Sequence, residues 1–227
     1  MALPITHDQP DRSVAPAART IARDFLLARL GSLFAILPLG VWTVNHLWNQ
    51  LAAYNGPVAW QSAVEGHQSA AGAAVTFLVV LGPLLWHTVW GIARMVRSRP
   101  SADVSRFSNV RYWVQRLSAV GLLLFLGAHL WLAWFHPRFI EGAPEPFIDI
   151  AHEMHFHGPT LAVYLLGTLG IAYHLANGLW SFSMGWGLTV SKSGLAWMER
   201  LSILIFVLLL ALGWGAVYAL YQAGVNT

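Results

Sequence analysis

The chain of 227 residues is 56% hydrophobic and only 10% charged, with 12 Trp and no Cys. That excludes an ordinary soluble domain, in which about a quarter of residues are charged. The absence of Cys also excludes disulfides, thiolate-held iron–sulfur clusters and covalently attached c-type haem. The formal charge of +3 is too small in so apolar a chain to point to nucleic acid, and a membrane surface accounts for the basic balance better. No Rossmann glycine fingerprint or P-loop is present, so no nucleotide site is readable.

Residues 1–24 are polar, with Asp8, Asp11, Arg12, Arg19, Arg23 and Asp24. They lack the apolar core of a cleavable signal peptide and read as a tail or surface helix. Five apolar runs follow, near 28–50, 69–93, 112–134, 157–180 and 199–221. Each is long enough to cross about 30 Å of hydrocarbon. Pro38 and Pro83 fall inside the first two runs, where a membrane helix tolerates them as kinks. The fold class expected is an all-α membrane protein. A cytoplasmic tail at 1–24 precedes a five-helix transmembrane domain at 25–227.

Charge predicts orientation. The N-terminal segment up to Arg29, the 94–116 connection and the 181–200 connection hold 12 of the 13 Lys and Arg. The other two connections hold Arg138 against Glu65, Glu141, Glu145, Asp149 and Glu153. By the positive-inside rule the N-terminus is cytoplasmic and the C-terminus outside.

One histidine lies deep in each of the first four runs: His46, His87, His129 and His174. An imidazole at such depth is costly unless it has a partner, which makes each a candidate functional residue. The alternating helix directions put His46 and His129 near the outer face, and His87 and His174 toward the cytoplasmic face. A rise of 1.5 Å per residue separates the two levels by roughly 15–20 Å. A weak internal echo runs alongside. His46-Leu-Trp48 recurs as His129-Leu-Trp131, and His87-x-x-x-Gly91 as His174-x-x-x-Gly178. Two parallel repeats would produce it.

Two imidazoles from facing helices are what a haem iron needs on its two sides, and a glycine one turn after each inner histidine leaves room for the flat macrocycle. With both axial positions filled, the predicted job is electron transfer through two b-type haems. The competing readings are helix–helix hydrogen bonding by the histidines and a haem-free transporter. A transition-metal transporter would place carboxylates or thiolates beside the imidazoles, and none lie at that depth.

Several stretches carry a family resemblance. They are Arg29-Leu-Gly-Ser-Leu-Phe-Ala-Ile-Leu-Pro-Leu-Gly40, Asn45-His-Leu-Trp48, Gly82-Pro-Leu-Leu-Trp-His87 with Gly91, Gln115-Arg-Leu-Ser118, and His174-Leu-Ala-Asn-Gly-Leu-Trp-Ser-Phe182. Together they resemble the five-helix, dihaem cytochrome b membrane anchor of succinate dehydrogenases and fumarate reductases, over about residues 23–221. The resemblance implies His46 and His129 as iron ligands of the distal haem, and His87 and His174 of the proximal one. It implies flavoprotein and iron–sulfur partner subunits on the cytoplasmic face, and a quinone, usually menaquinone, as electron partner. It implies a multi-pass place in the bacterial cytoplasmic (inner) membrane. Another dihaem cytochrome b, of the hydrogenase or formate dehydrogenase type, is the alternative within the same chemistry.

Arg29, Ser32, Arg116 and Ser118 open the two outward-running helices at the proximal level, where their donors suit haem propionates. Headgroup anchoring accounts for the arginines equally well. Lys192 is a candidate of the same kind. Glu65 and His67 precede the second run at the outer face. There a carboxylate or imidazole would serve a quinol that must lose protons, and members of the family place a functional carboxylate near that end. Some relatives carry a glutamate two residues before the fourth-run histidine; here that position is Ala172. His152-Glu-Met-His155-Phe-His157 lacks the zincin spacing and reads as an interfacial segment.

Overall fold

The computed structural model describes residues 14–65, 70–97 and 106–227. Those residues are almost entirely helical and contain no strand. Five helices are long and apolar enough to cross a membrane. They are α1 (Ala22–Asn55), α3 (Thr76–Arg97), α4 (Asn109–Glu141), α6 (Gly158–Gly185) and α7 (Lys192–Ala223). Two short helices lie between them, α2 (Pro57–Glu65) and α5 (Phe147–Phe156). The expected polar segment lies outside the described residues up to position 13 and is helical from Val14.

The spans agree with the apolar runs in number and order, but α1 and α4 extend further at both ends. A helix satisfies its own backbone groups and so continues past the hydrocarbon-length core of a run. The helix of the second span runs without a break from Ala70 through Thr76–Arg97, close to the expected start near 69.

The prolines do more than kink. Pro38 sits within a π-helical segment, Ala35–Gly40, and Pro83 lies two residues after a second one, Thr76–Leu81. Proline lacks an N–H and its ring collides with the carbonyl four residues back, so the local bonding relaxes to the wider i→i+5 register. His46 and His87 each follow the end of such a segment by six positions, so the extra residue helps set where each ring points.

The helix ends have equally local causes. Gly56, at φ 91°, turns the chain out of α1, its N–H bonded to the Ala53 carbonyl at 3.2 Å. Pro57 then opens α2, where a missing N–H costs nothing. Ser191 caps α7 by accepting from the Gly194 N–H at 3.0 Å.

α6 is the central helix, packed against α7, α4, α5 and α1. Its buried face is made of small residues, Gly167, Thr168, Ala172, Ala176, Asn177 and Ser183. Within lipid, close backbone approach and interhelical hydrogen bonds replace the hydrophobic drive. Accordingly Ser202 donates to the Ala176 carbonyl at 2.8 Å across the α6–α7 seam. A second pairing joins α1 to α3, and among the described residues α4 makes no extensive contact with α1 or α3. The large apolar side chains of the spans, among them Leu78, Leu117 and Leu166, point outward, as a lipid-facing surface requires.

One end of the bundle is closed by a packed cluster of Ala53, Trp60, Phe147, Ala151, Met154, Val217, Ala219 and Leu220. It ties α2 and α5 to the end of α7. Trp60 Nε1 donates to Gln50 Oε1 at 2.9 Å, and His155 Nδ1 donates to the Tyr221 carbonyl at 3.0 Å. Glu141, Glu145, Asp149 and Glu153 lie at this end, whereas Arg94, Arg97, Arg111, Arg116, Lys192 and Arg200 lie at the other.

Candidate functional site

The four histidines meet in two pairs. His46 of α1 faces His129 of α4 with ring centroids 6.0 Å apart and planes at 72°. His87 of α3 faces His174 of α6 at 6.2 Å and 76°. Neither pair is close in sequence; helix direction and depth bring them together. The first pair lies toward the acidic, capped end of the bundle and the second toward the basic end. Tyr164 touches His129, and His174 follows it ten residues later on the same helix, so the levels are about 15 Å apart.

Each level has its own surroundings. In the first pair each imidazole stacks on an aromatic ring one turn earlier on its own helix. Trp42 lies against His46 (centroids 4.6 Å, 11°) and Phe125 against His129 (5.6 Å, 15°). In the second pair each imidazole is followed one turn later by a glycine, Gly91 or Gly178. A methyl group added at either would meet no protein atom within 4 Å. Both glycines therefore face open space one turn from an inner imidazole.

Second partners hold three of the four rings. A carbonyl only accepts, so the 3.2 Å contact between His87 Nδ1 and the Gly31 oxygen puts the proton on Nδ1 and leaves Nε2 with a free lone pair. His129 Nδ1 lies 3.1 Å from the Tyr164 hydroxyl. His174 Nδ1 lies 3.2 Å from Ser118 Oγ, whose own proton goes to the Gln115 carbonyl at 2.9 Å. Such contacts fix tautomer and ring orientation in metal-ligating histidines.

The donor set limits what could sit between the rings. Two imidazoles with a metal ion between them, each at about 2.0–2.1 Å, have centroids about 6.3 Å apart. Both observed separations agree with that. Yet no group of three or more His, Asp or Glu capable of holding a metal occurs among the described residues. A bare ion would lack ligands here, whereas an iron carrying four equatorial nitrogens needs two axial imidazoles and no more.

The remaining expected site residues fall in different places. The Arg29 guanidinium lies over Phe25 (4.5 Å) and Trp186 (5.7 Å), and Ser32 Oγ accepts from Trp186 Nε1 at 3.1 Å, so both sit at the end of α6. The Arg116 guanidinium lies over Tyr112 at 4.2 Å. Ser118 is turned toward His174, as described above. Lys192 is exposed at the start of α7. Glu65 ends α2, but its side chain, and His67 altogether, lie outside the described residues. The histidine-rich segment forms α5 and the turn after it, with His157 Nδ1 2.7 Å from Thr160 Oγ1 and 3.4 Å from Glu153 Oε2.

Two features were given no site role from sequence. Gln115 and Asn177 join α4 to α6 beside His174, with Asn177 Nδ2 donating to Gln115 Oε1 at 2.8 Å. The available signal was position: Asn177 follows His174 by three residues, Gln115 precedes Ser118 by three, and both put an amide in an apolar run. The other feature is Glu145, in the connection between α4 and α5. Burial, reinforced by the Asp149, Glu141 and Glu153 carboxylates, pushes it up to about 7.

No family model matches the chain. It is 30% identical over 202 residues to the succinate dehydrogenase cytochrome b558 subunit of Bacillus subtilis, an alignment spanning 87% of this chain and 97% of that protein. Nearly the whole of both chains is aligned, and five membrane-length helices stand in this one. The chain therefore belongs to the family of succinate dehydrogenase cytochrome b subunits.

Proposed function

We propose that this chain holds two b-type haems and carries electrons between the iron–sulfur subunit of a succinate dehydrogenase or fumarate reductase and a membrane quinone. The observation that carries this reading is the double pairing of His46 with His129 and of His87 with His174, at 6.0 and 6.2 Å between centroids. Each haem, when bound, supplies a one-electron iron couple with no open position for oxygen. The chain's residues do the rest. Four imidazoles hold the two irons, and Gly31, Ser118 and Tyr164 steady the rings. Gly91 and Gly178 keep the inner slot clear. Arg29, Ser32 and Arg116 stand on the basic half of the bundle, where they would meet propionates.

The charge asymmetry of the ends supports a cytoplasmic N-terminus and an outer C-terminus in the bacterial inner membrane. In that orientation 25–227 is the haem-bearing domain, and the flavoprotein and iron–sulfur subunits dock on the basic end beside His87 and His174. The quinone, menaquinone by family resemblance, would react at the opposite end near His46 and His129. Val41, Val44, Asn45 and Trp48 form an exposed face of α1 on the turns around His46, apolar but for one amide. Glu65 remains a proposed proton acceptor there.

The test is a dithionite-reduced minus oxidised spectrum of the purified complex, with haem and chain quantified together. Two b haems per chain are expected, and replacement of any one of the four histidines should remove one of them. A wild-type complex with no haem overturns the reading, and one haem per chain removes one of the two pairings.

A further inference from the structure

The two levels differ in how their rings can be adjusted. The partner of His87 is a backbone carbonyl, which no substitution removes, and that of His129 is a single phenol. His174 instead faces a cluster of three polar side chains drawn from two helices. Ser118 Oγ and Gln115 Nε2 both lie 3.2 Å from its Nδ1. Gln115 Nε2 also donates to the His174 carbonyl at 3.3 Å, while Gln115 Oε1 accepts from Asn177 at 2.8 Å.

Packing alone gives no reason for this cluster. Asn177 is only 6% exposed, and its Oδ1 is buried with no hydrogen-bond partner. An amide left half-satisfied within a membrane bundle is costlier than a leucine of similar volume. Every polar contact it does make leads through Gln115 to His174. The serine is oriented the same way, since its proton is committed to the Gln115 carbonyl and a lone pair is left for Nδ1–H.

We propose that Gln115 is a positioning residue for His174. Its amide N–H cannot bond the His174 Nδ1–H, which Ser118 Oγ accepts. Held on the His174 carbonyl and braced by Asn177, the amide fixes the α4–α6 geometry of that Nδ1–H···Ser118 contact. It thereby sets the orientation of the imidazole and the reduction potential of the haem on the His87–His174 level. The proposal rests on the haem assignment above. The hydrogen bond on the far nitrogen of a ligating imidazole governs its basicity, and a more basic ligand favours the oxidised iron. Gln115 is therefore a place where the sequence can tune one haem and leave the other alone.

The experiment is a redox titration of both haems in the purified complex, with low-temperature electron paramagnetic resonance of the oxidised form. The haems are assigned to levels beforehand with the single-histidine variants. Gln115→Glu places a carboxylate at the Nδ1–H. It should make reduction of the inner-level haem at least tenfold less favourable, about 59 mV for one electron. Ser118→Ala removes an acceptor and should shift that haem the opposite way. Gln115→Met keeps volume but loses the bonds to the His174 carbonyl and from Asn177. It should change the resonance signature of the inner level, or lose that haem alone. The outer level should stay within threefold throughout. Unchanged potentials and signatures with both haems retained, or equal disturbance of both levels, would overturn the proposal while leaving the haem reading intact. Absence of haem from the wild type would instead defeat the haem reading itself.

Discussion

Gly178→Ala separates the protein's own packing from the fit of a bound group. A methyl at Gly178 meets no protein atom within 4 Å, so the chain has nothing to push aside. Replacing glycine by alanine inside α6 should even stabilise the helix, by up to about 1 kcal/mol. A macrocycle lying against the glycine backbone beside His174 would feel that methyl as overpacking, at about 1–3 kcal/mol. At 1.4 kcal/mol per tenfold, that range weakens haem binding by about 5- to 140-fold. The assay is haem retained per chain during graded extraction, beside the thermal midpoint of the same sample in detergent. The expected result is loss of one haem from a protein whose unfolding is unchanged or later than wild type. If Gly178→Ala keeps both haems with wild-type affinity, Gly178 does not form a wall of the slot.

Three further outcomes follow from the geometry. Gly31→Ala should behave oppositely, because its methyl would lie 2.6 Å from the Trp90 ring and force α1 away from α3. A loss of about 1–3 kcal/mol in stability is expected, with disturbance of the His87 level, and a thermal midpoint equal to wild type would contradict the α1–α3 packing. Tyr164→Phe keeps the ring beside Phe125 but removes the hydroxyl 3.1 Å from His129. It should cost about 1 kcal/mol and alter the spectrum of the outer level only, so a change at the inner level would count against the pairing. Glu145 binds its proton more tightly folded than unfolded, about 7 against 4.5, so its contribution to stability falls as pH rises through that window. Glu145→Gln should flatten the decline of the thermal midpoint between pH 5 and 8, and an unchanged slope would show that this carboxyl is not the one titrating.

The depth argument and the fold meet at particular residues. His46 and His129 are separated by one whole span in sequence, yet helix direction and distance from the span ends were enough to pair them. The partners of the rings were harder to read. Gly31, Tyr164 and Gln115 lie 56, 35 and 59 positions from the histidines they touch, and no periodicity links such positions. Ser118 was expected at a propionate, because its place near the start of α4 fixes its depth but not its rotation. The structure turns it toward His174. The prolines illustrate the same division. A break at Pro38 and Pro83 was legible, but not the π register that the chain adopts there.

What the sequence by itself determined is therefore one-dimensional: five spans, their alternating direction, the charge of each end and the depth of every histidine. Apolar length and backbone self-satisfaction within a span are local properties, and depth is a count of residues along an axis. What only the tertiary structure decided is rotation about those axes and the closeness of neighbouring helices. These depend on how small residues such as Gly31, Gly167 and Gly213 let particular backbones approach. Rotation chose Gln115, Asn177 and Ser118 as the company of His174, gave His129 its tyrosine, and left Gly91 and Gly178 facing open space.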